Sequence, residues 1–280
     1  MNYYIGLAQW HHADWYDTGK NSQDSLSIYQ QHFSSVEGNN TFYGLPSTAS
    51  INAWCKISSE PFKFCFKFPK VISHEASLQH CNSQVSEFLQ LIAPLESRLG
   101  LIWLQMPKSF SPEQLGVLRD FLVTLPREFN YGIEVRHLEF FNKGATEKEF
   151  NQLLSQYNVN RVIFDTRTLF ANPADDEATQ DGLRKKPRVP THVLATANFP
   201  MVRFISPMDT QLAETALDQW ARKTIQWIDE GKTPYIFFHT PDNKKVPQLA
   251  ERFARKVNLL RPEIPTVSLW SQQPQQNDLF

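Results

Sequence analysis

The amino-acid sequence predicts a single (β/α)8 barrel with a long insertion between its sixth and seventh strands. Short β-like runs alternate with amphipathic helical patterns eight times along the chain. The 280 residues exceed by a modest margin the roughly 250 that one such barrel needs. No G-x-G-x-x-G and no G-x-x-x-x-G-K-[ST] marks the crevice of a doubly wound nucleotide-binding sheet, the competing arrangement.

The first strand covers residues 4–9, and Leu26, Tyr29 and Phe33 follow at helical spacing. Residues 35–38 form the second strand. Ser47 then caps a helix that buries Ile51 and Trp54. The third strand is 62–68, followed by a helix with Val85, Phe88, Leu89, Ile92 and Leu95 on one face. After the fourth strand, 101–105, Ser111-Pro112-Glu113-Gln114 reads as a capping box with Pro at the first helical position. That helix buries Leu115, Leu118, Leu122 and Leu125. The fifth strand is 131–136. Thr146-Glu147-Lys148-Glu149 reads as a second capping box, ahead of Phe150, Leu153, Leu154 and Tyr157.

The sixth strand is 161–165, and then the rhythm breaks. Residues 168–200 hold one weak helical stretch and the basic piece Leu183-Arg184-Lys185-Lys186-Pro187-Arg188. The seventh strand, 201–205, precedes a helix with Leu217, Trp220, Trp227 and Ile228 facing inward. The eighth, 235–239, precedes a helix starting near Pro247 with Leu249, Phe253, Val257 and Leu260 in register. The barrel domain spans residues 1–270, and the Gln-rich residues 271–280 read as a flexible C-terminal tail.

Composition narrows the class. With 41% apolar and 20% charged residues, the chain is an ordinary globular one and not a disordered one. Lys plus Arg number 28 against 29 Asp plus Glu, which excludes a general nucleic-acid coat but leaves room for a local basic patch. Met1 to Gly6 show no positive region ahead of an apolar run, so no signal peptide is read there. The apolar runs are too short to span a bilayer. Cys55, Cys65 and Cys81 are an odd number without C-x-x-C spacing, which argues against a disulfide framework or a thiolate metal site. The expected location is a reducing cytoplasm.

The strand ends are the most informative feature. Phe62, Phe64, Phe66 and Phe68 share one face and belong under the helices, which turns Lys63, Cys65 and Lys67 toward the barrel axis. The same parity sets Gln9, Glu37, Gln105, Glu134, Arg136, Asp165, Arg203 and His239 inward, mostly at the carboxyl ends of strands, where barrel active sites are built. So many ionisable groups need partners or a ligand. Glu37, Glu134 and Asp165 balance Lys67, Arg136 and Arg203. Mixed signs suit an anionic or polyhydroxylated ligand better than a bare divalent-metal cage built from Glu37, Glu134, Asp165 and His239. No metal ligand set or cofactor is assigned.

Catalytic candidates are Glu37, Lys67, Glu134 and Asp165, with Glu37 or Glu134 as acid or base. Lys67 reads as an ordinary salt bridge to Glu37 or Glu134, with a Schiff base as the alternative. Substrate-binding candidates are Gln9, Asn40, Tyr43, His74, Gln105, Arg136, His137, Arg203 and His239. Above this polar floor lie Trp10, Trp15, Tyr16, Phe42, Tyr43, Phe140 and Phe141, rings that either pack the loops or stack on a cyclic ligand.

Several motifs resemble one family. They are Val36-Glu37-Gly38-Asn39-Asn40-Thr41-Phe42-Tyr43-Gly44-Leu45-Pro46, Phe62 to Pro69 with Ile72-Ser73-His74, Leu104-Gln105-Met106-Pro107, Glu134-Val135-Arg136-His137 and Asp165-Thr166. In this order they are similar to the YecE-like family of domains of unknown function, from Ile5 to the C-terminus. The resemblance implies a TIM-like barrel and supplies no reaction. The chain departs from the broad family pattern at Arg203-Phe204-Ile205-Ser206 and at His239-Thr240, which implies that one ligand need not serve every member.

The expected function is binding or transformation of a small anionic or sugar-like ligand at the strand ends. The alternative is a non-catalytic accessory protein that docks on a macromolecule. Its sequence basis is the tail, where Gln276, Leu279 and Phe280 are similar to the Q-x-x-L-F peptides that bacterial sliding clamps accept. The basic run 184–188 would then lie near DNA phosphates, an indirect contact with nucleic acid.

Overall fold

The computed structural model describes residues 3–15, 22–172 and 174–270. Eight parallel strands close in sequence order into a barrel. They are β1 (Tyr4–Leu7), β2 (Ser35–Gly38), β3 (Lys63–Lys67), β4 (Leu99–Gln105), β5 (Asn130–Glu134), β6 (Asn160–Asp165), β7 (Met201–Ile205) and β8 (Tyr235–His239). Between and after them run α1 (Ser22–Tyr29), α2 (Thr48–Ile57), α3 (Asn82–Ile92), α4 (Leu115–Thr124), α5 (Ala145–Gln156), α6 (Arg167–Ala171), α7 (Glu177–Lys185), α8 (Glu214–Asp229) and α9 (Val246–Leu260).

Two cores result from the strand alternation. The outward faces of the strands and the inward faces of the helices share one large apolar layer, which contains Phe62, Phe64, Phe66 and Phe68 as parity requires. Inside the barrel, Tyr4, Cys65, Leu101, Trp103, Val162, Met201, Tyr235 and Phe237 form a second, closed apolar filling. Space there is tight. A Cβ on Gly132 would lie 2.9 Å from Val162 Cγ2 and 3.4 Å from Leu101 Cδ2. The interior is therefore packed below, and its charged cluster lies at the carboxyl end.

Local signals hold where side chains can satisfy them. Ser47 accepts from the Ser50 amide and starts α2. Ser111 and Gln114 form the reciprocal capping box that leads into α4. The Thr146 box does not form. The helix starts two residues earlier, after Gly144, and Glu147 instead accepts from the Lys143 amide at 2.8 Å. The first strand stops at Leu7 and the fifth at Glu134, so Gln9 and Arg136 stand on loops above them.

The insertion between β6 and β7 carries α6 and α7. Its Leu169 and Val189 pack on Phe164 and Ile205, which draws the segment across the β6–β7 side of the barrel mouth. Further along, His192 is tied to Glu147 at 2.5 Å. The basic run does not make one basic face. Arg184 and Lys185 are exposed and paired to Asp181, Arg188 lies over the Phe170 ring, and Lys186 turns toward the mouth. No helix of the described residues is long and apolar enough to cross a membrane. Tyr16 and the tail residues Gln276, Leu279 and Phe280 lie outside the described residues.

Candidate functional site

Strand register sets the site. Gln105 on β4 pairs laterally with Glu134 on β5, Lys67 on β3 with Trp103, and Ile205 on β7 with His239 on β8. β2, β3, β4, β5, β7 and β8 thus each bring one inward polar residue to the carboxyl end of the barrel. Glu37, Lys67, Gln105, Glu134, Arg203 and His239 are all buried there, and Arg136 reaches in from the loop after β5.

Arg203 is the hub. Its Nε and Nη2 donate to the two oxygens of Glu37 at 3.0 and 2.8 Å, and Nη1 donates to Glu134 at 2.6 Å. The guanidinium lies 4.5 Å from the Trp103 ring centroid and 5.1 Å from that of Phe164, a cation–π setting. Glu37 also accepts from Asn39 at 2.6 Å and from His239 Nε2 at 2.9 Å. Glu134 accepts from Arg136 at 2.9 Å. Burial raises the Glu37 carboxyl, but Arg203 and His239 outweigh it and hold the group well below the usual carboxylate range. Burial likewise raises Glu134, and Arg203, Arg136 and Lys67 pull it below its ordinary value. Burial lowers His239 more than Glu37 raises it. A neutral imidazole with its proton on Nε2 meets both demands, since an ionised Glu37 can only accept.

The expected Lys67 salt bridge is not there. Arg203 occupies both Glu37 oxygens, and Arg203 with Arg136 occupies Glu134. Lys67 Nζ donates instead to Gln105 Oε1 at 2.9 Å, an oxygen that also accepts from Arg136 at 2.6 Å. The Phe42 ring centroid lies 3.5 Å from Nζ. That ring favours the ammonium modestly. Burial and the Arg203 and Arg136 charges act the other way, and Lys67 is lowered to about 7.

Lys186 is the residue that sequence reasoning missed. It comes from the insertion, is half-buried, and feels Arg203, Glu37, Arg136 and Glu134. Burial and the arginines lower it to about 8. Asn39 was also missed, although its place two residues after Glu37 was a usable signal. Nothing in the run 184–188 singles out Lys186. Only the path of the insertion does.

Other sequence-predicted residues lie apart from this cluster. Asp165 was expected to face the axis and does not. Val162 and Phe164 take the inner face of β6, so Asp165 points into the helix layer. There it accepts from Arg167 at 2.8 and 3.0 Å, Thr191 at 3.1 Å and Trp220 Nε1 at 2.8 Å. His137 caps the short turn after β5 and its ring meets Phe140 edge-on, so it serves the scaffold. His74 sits at the edge of the cluster. It is bonded to Ser73 and edge-on to Phe42, and burial, Lys67 and Arg136 lower its pKa. Tyr43 is 78% exposed beside Phe42.

Gln9 and Asn40 line a neighbouring cavity of about 410 Å3, with Trp10, Trp54 and Phe66 as its apolar walls and Glu37 at its edge. Of the loop rings, Trp15 donates to Asn243 and Lys244 carbonyls and Phe140 is in the outer core. Phe141 packs on Arg161 and His192. These three pack the loops, and Phe42 is the ring that meets the cluster. Among the described residues no group of three or more His, Cys, Asp or Glu side chains is arranged to hold a metal ion.

The charges in the cluster do not balance. Two carboxylates, Glu37 and Glu134, are consumed by two guanidiniums, Arg203 and Arg136. Two amines, Lys67 and Lys186, remain without a carboxylate partner among the described residues. An ionised Glu37 with four donors on it has no proton to give. The ring as a whole is short of negative charge.

The chain matches the family described as protein of unknown function DUF72 over residues 4–276. It is 44% identical over 277 residues to the UPF0759 protein YecE of Escherichia coli (strain K12), covering 99% of both chains. The YecE protein of Escherichia coli O157:H7 matches at the same identity and coverage. Among solved structures, a DUF72 family protein from Enterococcus faecalis V583 superposes with TM-score 0.73 at 20% identity, over 96% of this chain and 98% of that one. One from Thermotoga maritima MSB8 gives TM-score 0.68 at 20% identity, over 91% and 98%. At that identity the likeness is one of fold.

Proposed function

This chain belongs to the DUF72 family, and we propose that within the barrel it binds the anionic group of a small compound at the carboxyl ends of its strands and transforms that compound. The observation that carries the reading is the pair Lys67 and Lys186, cations left over after Glu37 and Glu134 have been taken by Arg203 and Arg136. A phosphate or carboxylate between them supplies the missing negative charge, with Arg136 as a further donor. The acid or base role passes from Glu37 and Glu134, which are held ionised, to Lys67, whose pKa near neutrality suits proton transfer. The Glu37–Arg203–Glu134 bridge is then scaffold, tying β2, β7 and β5 together across the mouth.

The test is a thermal-shift screen of inorganic phosphate, phosphorylated metabolites, carboxylates, neutral sugars and divalent metals. A ligand that binds only the folded state raises apparent stability by mass action. Anions are expected to raise the melting temperature, and Lys186→Met and Lys67→Met are expected to remove that rise. A rise with neutral sugars alone, or one unaltered by both substitutions, overturns the reading.

A further inference from the structure

Resting on that reading, we propose that Lys67 is a nucleophile that forms an imine with an anionic carbonyl compound, the anionic group of which is held by Arg136 and Lys186. The geometry comes first. Lys67 is the last residue of β3 and faces the axis; its backbone pairs with Trp103 on β4, and its carbonyl accepts from Thr41 Oγ1 at 2.5 Å. Its Nζ has one hydrogen bond, to an amide oxygen, and no carboxylate to hold its proton. A buried lysine needed only for structure is ordinarily paired with an acid. Here both nearby acids are committed to arginines instead. Beside the burial that acts first, the cations Arg203 and Arg136 disfavour a further positive charge on Nζ and favour the free amine that imine formation needs. They also attract an anionic substrate to the same place, so one charge pattern serves both purposes.

Lys186 shares these charges but sits on the insertion, not on a strand, and feels Arg203 and Glu37 as its first two charged neighbours. It suits the substrate's anion and the delivery of a proton better than the fixed attack geometry of a nucleophile. In the step itself, the Lys67 Nζ lone pair bonds to the carbonyl carbon and the C=O π pair moves to oxygen. That oxygen takes a proton, for which the Lys186 ammonium is the donor at hand. Nζ loses one proton to solvent. Loss of the oxygen as water, with a second proton from solvent, leaves the C=N iminium on Lys67. The balance is one amine, one carbonyl and one proton in, one iminium and one water out. No oxidant or reductant is required.

The experiment uses the full chain near neutral pH with glycolaldehyde phosphate as probe and sodium cyanoborohydride to reduce the iminium to a stable secondary amine. Peptide mapping by mass spectrometry reads the site, and the adduct mass is the carbonyl compound less its oxygen. The expected result is labelling concentrated on Lys67, weaker with uncharged glycolaldehyde, suppressed by inorganic phosphate and lost in Lys67→Arg. If Lys67→Arg does not fold, the site assignment and phosphate protection in the parent chain still decide. Labelling spread over surface lysines, concentrated on Lys186, or indifferent to phosphate overturns the proposal. The melting rise with inorganic phosphate is measured in parallel. A rise without a Lys67 adduct removes the imine and leaves the anion site, whereas no rise removes the anion site itself.

Discussion

Replacing Arg203 by Met takes the hub out of the barrel mouth while keeping an apolar stem over Trp103 and Phe164. Three charge-assisted hydrogen bonds are lost, two to Glu37 and one to Glu134. Both carboxylates stay fully buried. Glu134 keeps Arg136, but Glu37 is left with Asn39 and a neutral His239. Removing one member of a buried ion pair costs about 3–5 kcal/mol, because the other charge stays desolvated. For a chain of this size that lowers the melting temperature by roughly 6–20 °C.

The pH dependence carries the sharper signature. In the parent, Glu37 and Glu134 sit below their ordinary values, so their contribution is present above the unfolded carboxylate range and is lost as pH falls through their folded values. Without Arg203, burial becomes the dominant influence on Glu37 and raises it. A raised carboxyl destabilises the fold most where it must be ionised. The deficit of Arg203→Met is therefore largest near neutral pH and shrinks as pH falls toward about 5. Adding Glu37→Gln to Arg203→Met recovers part of the lost stability, since it removes the stranded charge. Urea melts across that pH range check both points. A loss under about 1 kcal/mol, the ordinary worth of a neutral hydrogen bond, or a deficit independent of pH, would refute the assignment of Arg203 as the hub.

Further expectations are independent of that one. Sulfate, whose charge is constant over the range, is expected to bind the mouth more weakly as pH rises through about 7–8, where Lys67 and Lys186 lose their protons; calorimetric titration of the parent chain at a series of pH values checks it. The same lysines sit below their unfolded values, so the unfolded chain binds more protons above about 7 and the fold gains stability as pH rises from there. Asp165→Ala leaves the Trp220 and Thr191 donors unsatisfied in the helix layer and costs about 1–3 kcal/mol in a urea melt, while sulfate affinity stays as in the parent; a weakened sulfate site would return Asp165 to the mouth. Gly132→Ala presses a methyl against Val162 and Leu101 and destabilises by about 1–3 kcal/mol, whereas Gly116→Ala, with nothing within 4 Å of the added carbon, stabilises α4 by up to about 1 kcal/mol.

The amino-acid sequence by itself determined the barrel and most of the inward face of its strands. Alternating elements leave few ways to bury every apolar stripe, and four phenylalanines at every second position from 62 to 68, in and flanking β3, settle which side of that strand meets helices. From there Glu37, Lys67, Gln105, Glu134, Arg203 and His239 follow by parity, because their strands have one apolar and one polar face near the carboxyl end. Parity failed at β6. There the charged residues Arg161 and Asp165 share the outward face with Ile163, and they are satisfied in the helix layer by Glu147, Asn151, Arg167 and Trp220. Only the tertiary structure decided who pairs with whom. Glu37 and Arg203 are separated by 166 positions, and their contact depends on barrel closure and register, which are long-range. That pairing is what strips Lys67 of the salt bridge its sequence suggests. The same holds for Lys186, one of several like charges in a run, which enters the mouth because Leu169 and Val189 anchor the insertion over β6 and β7. A local pattern can say that a side chain is charged and which way its strand turns it. Whether that charge is neutralised depends on neighbours that only the folded chain brings within reach.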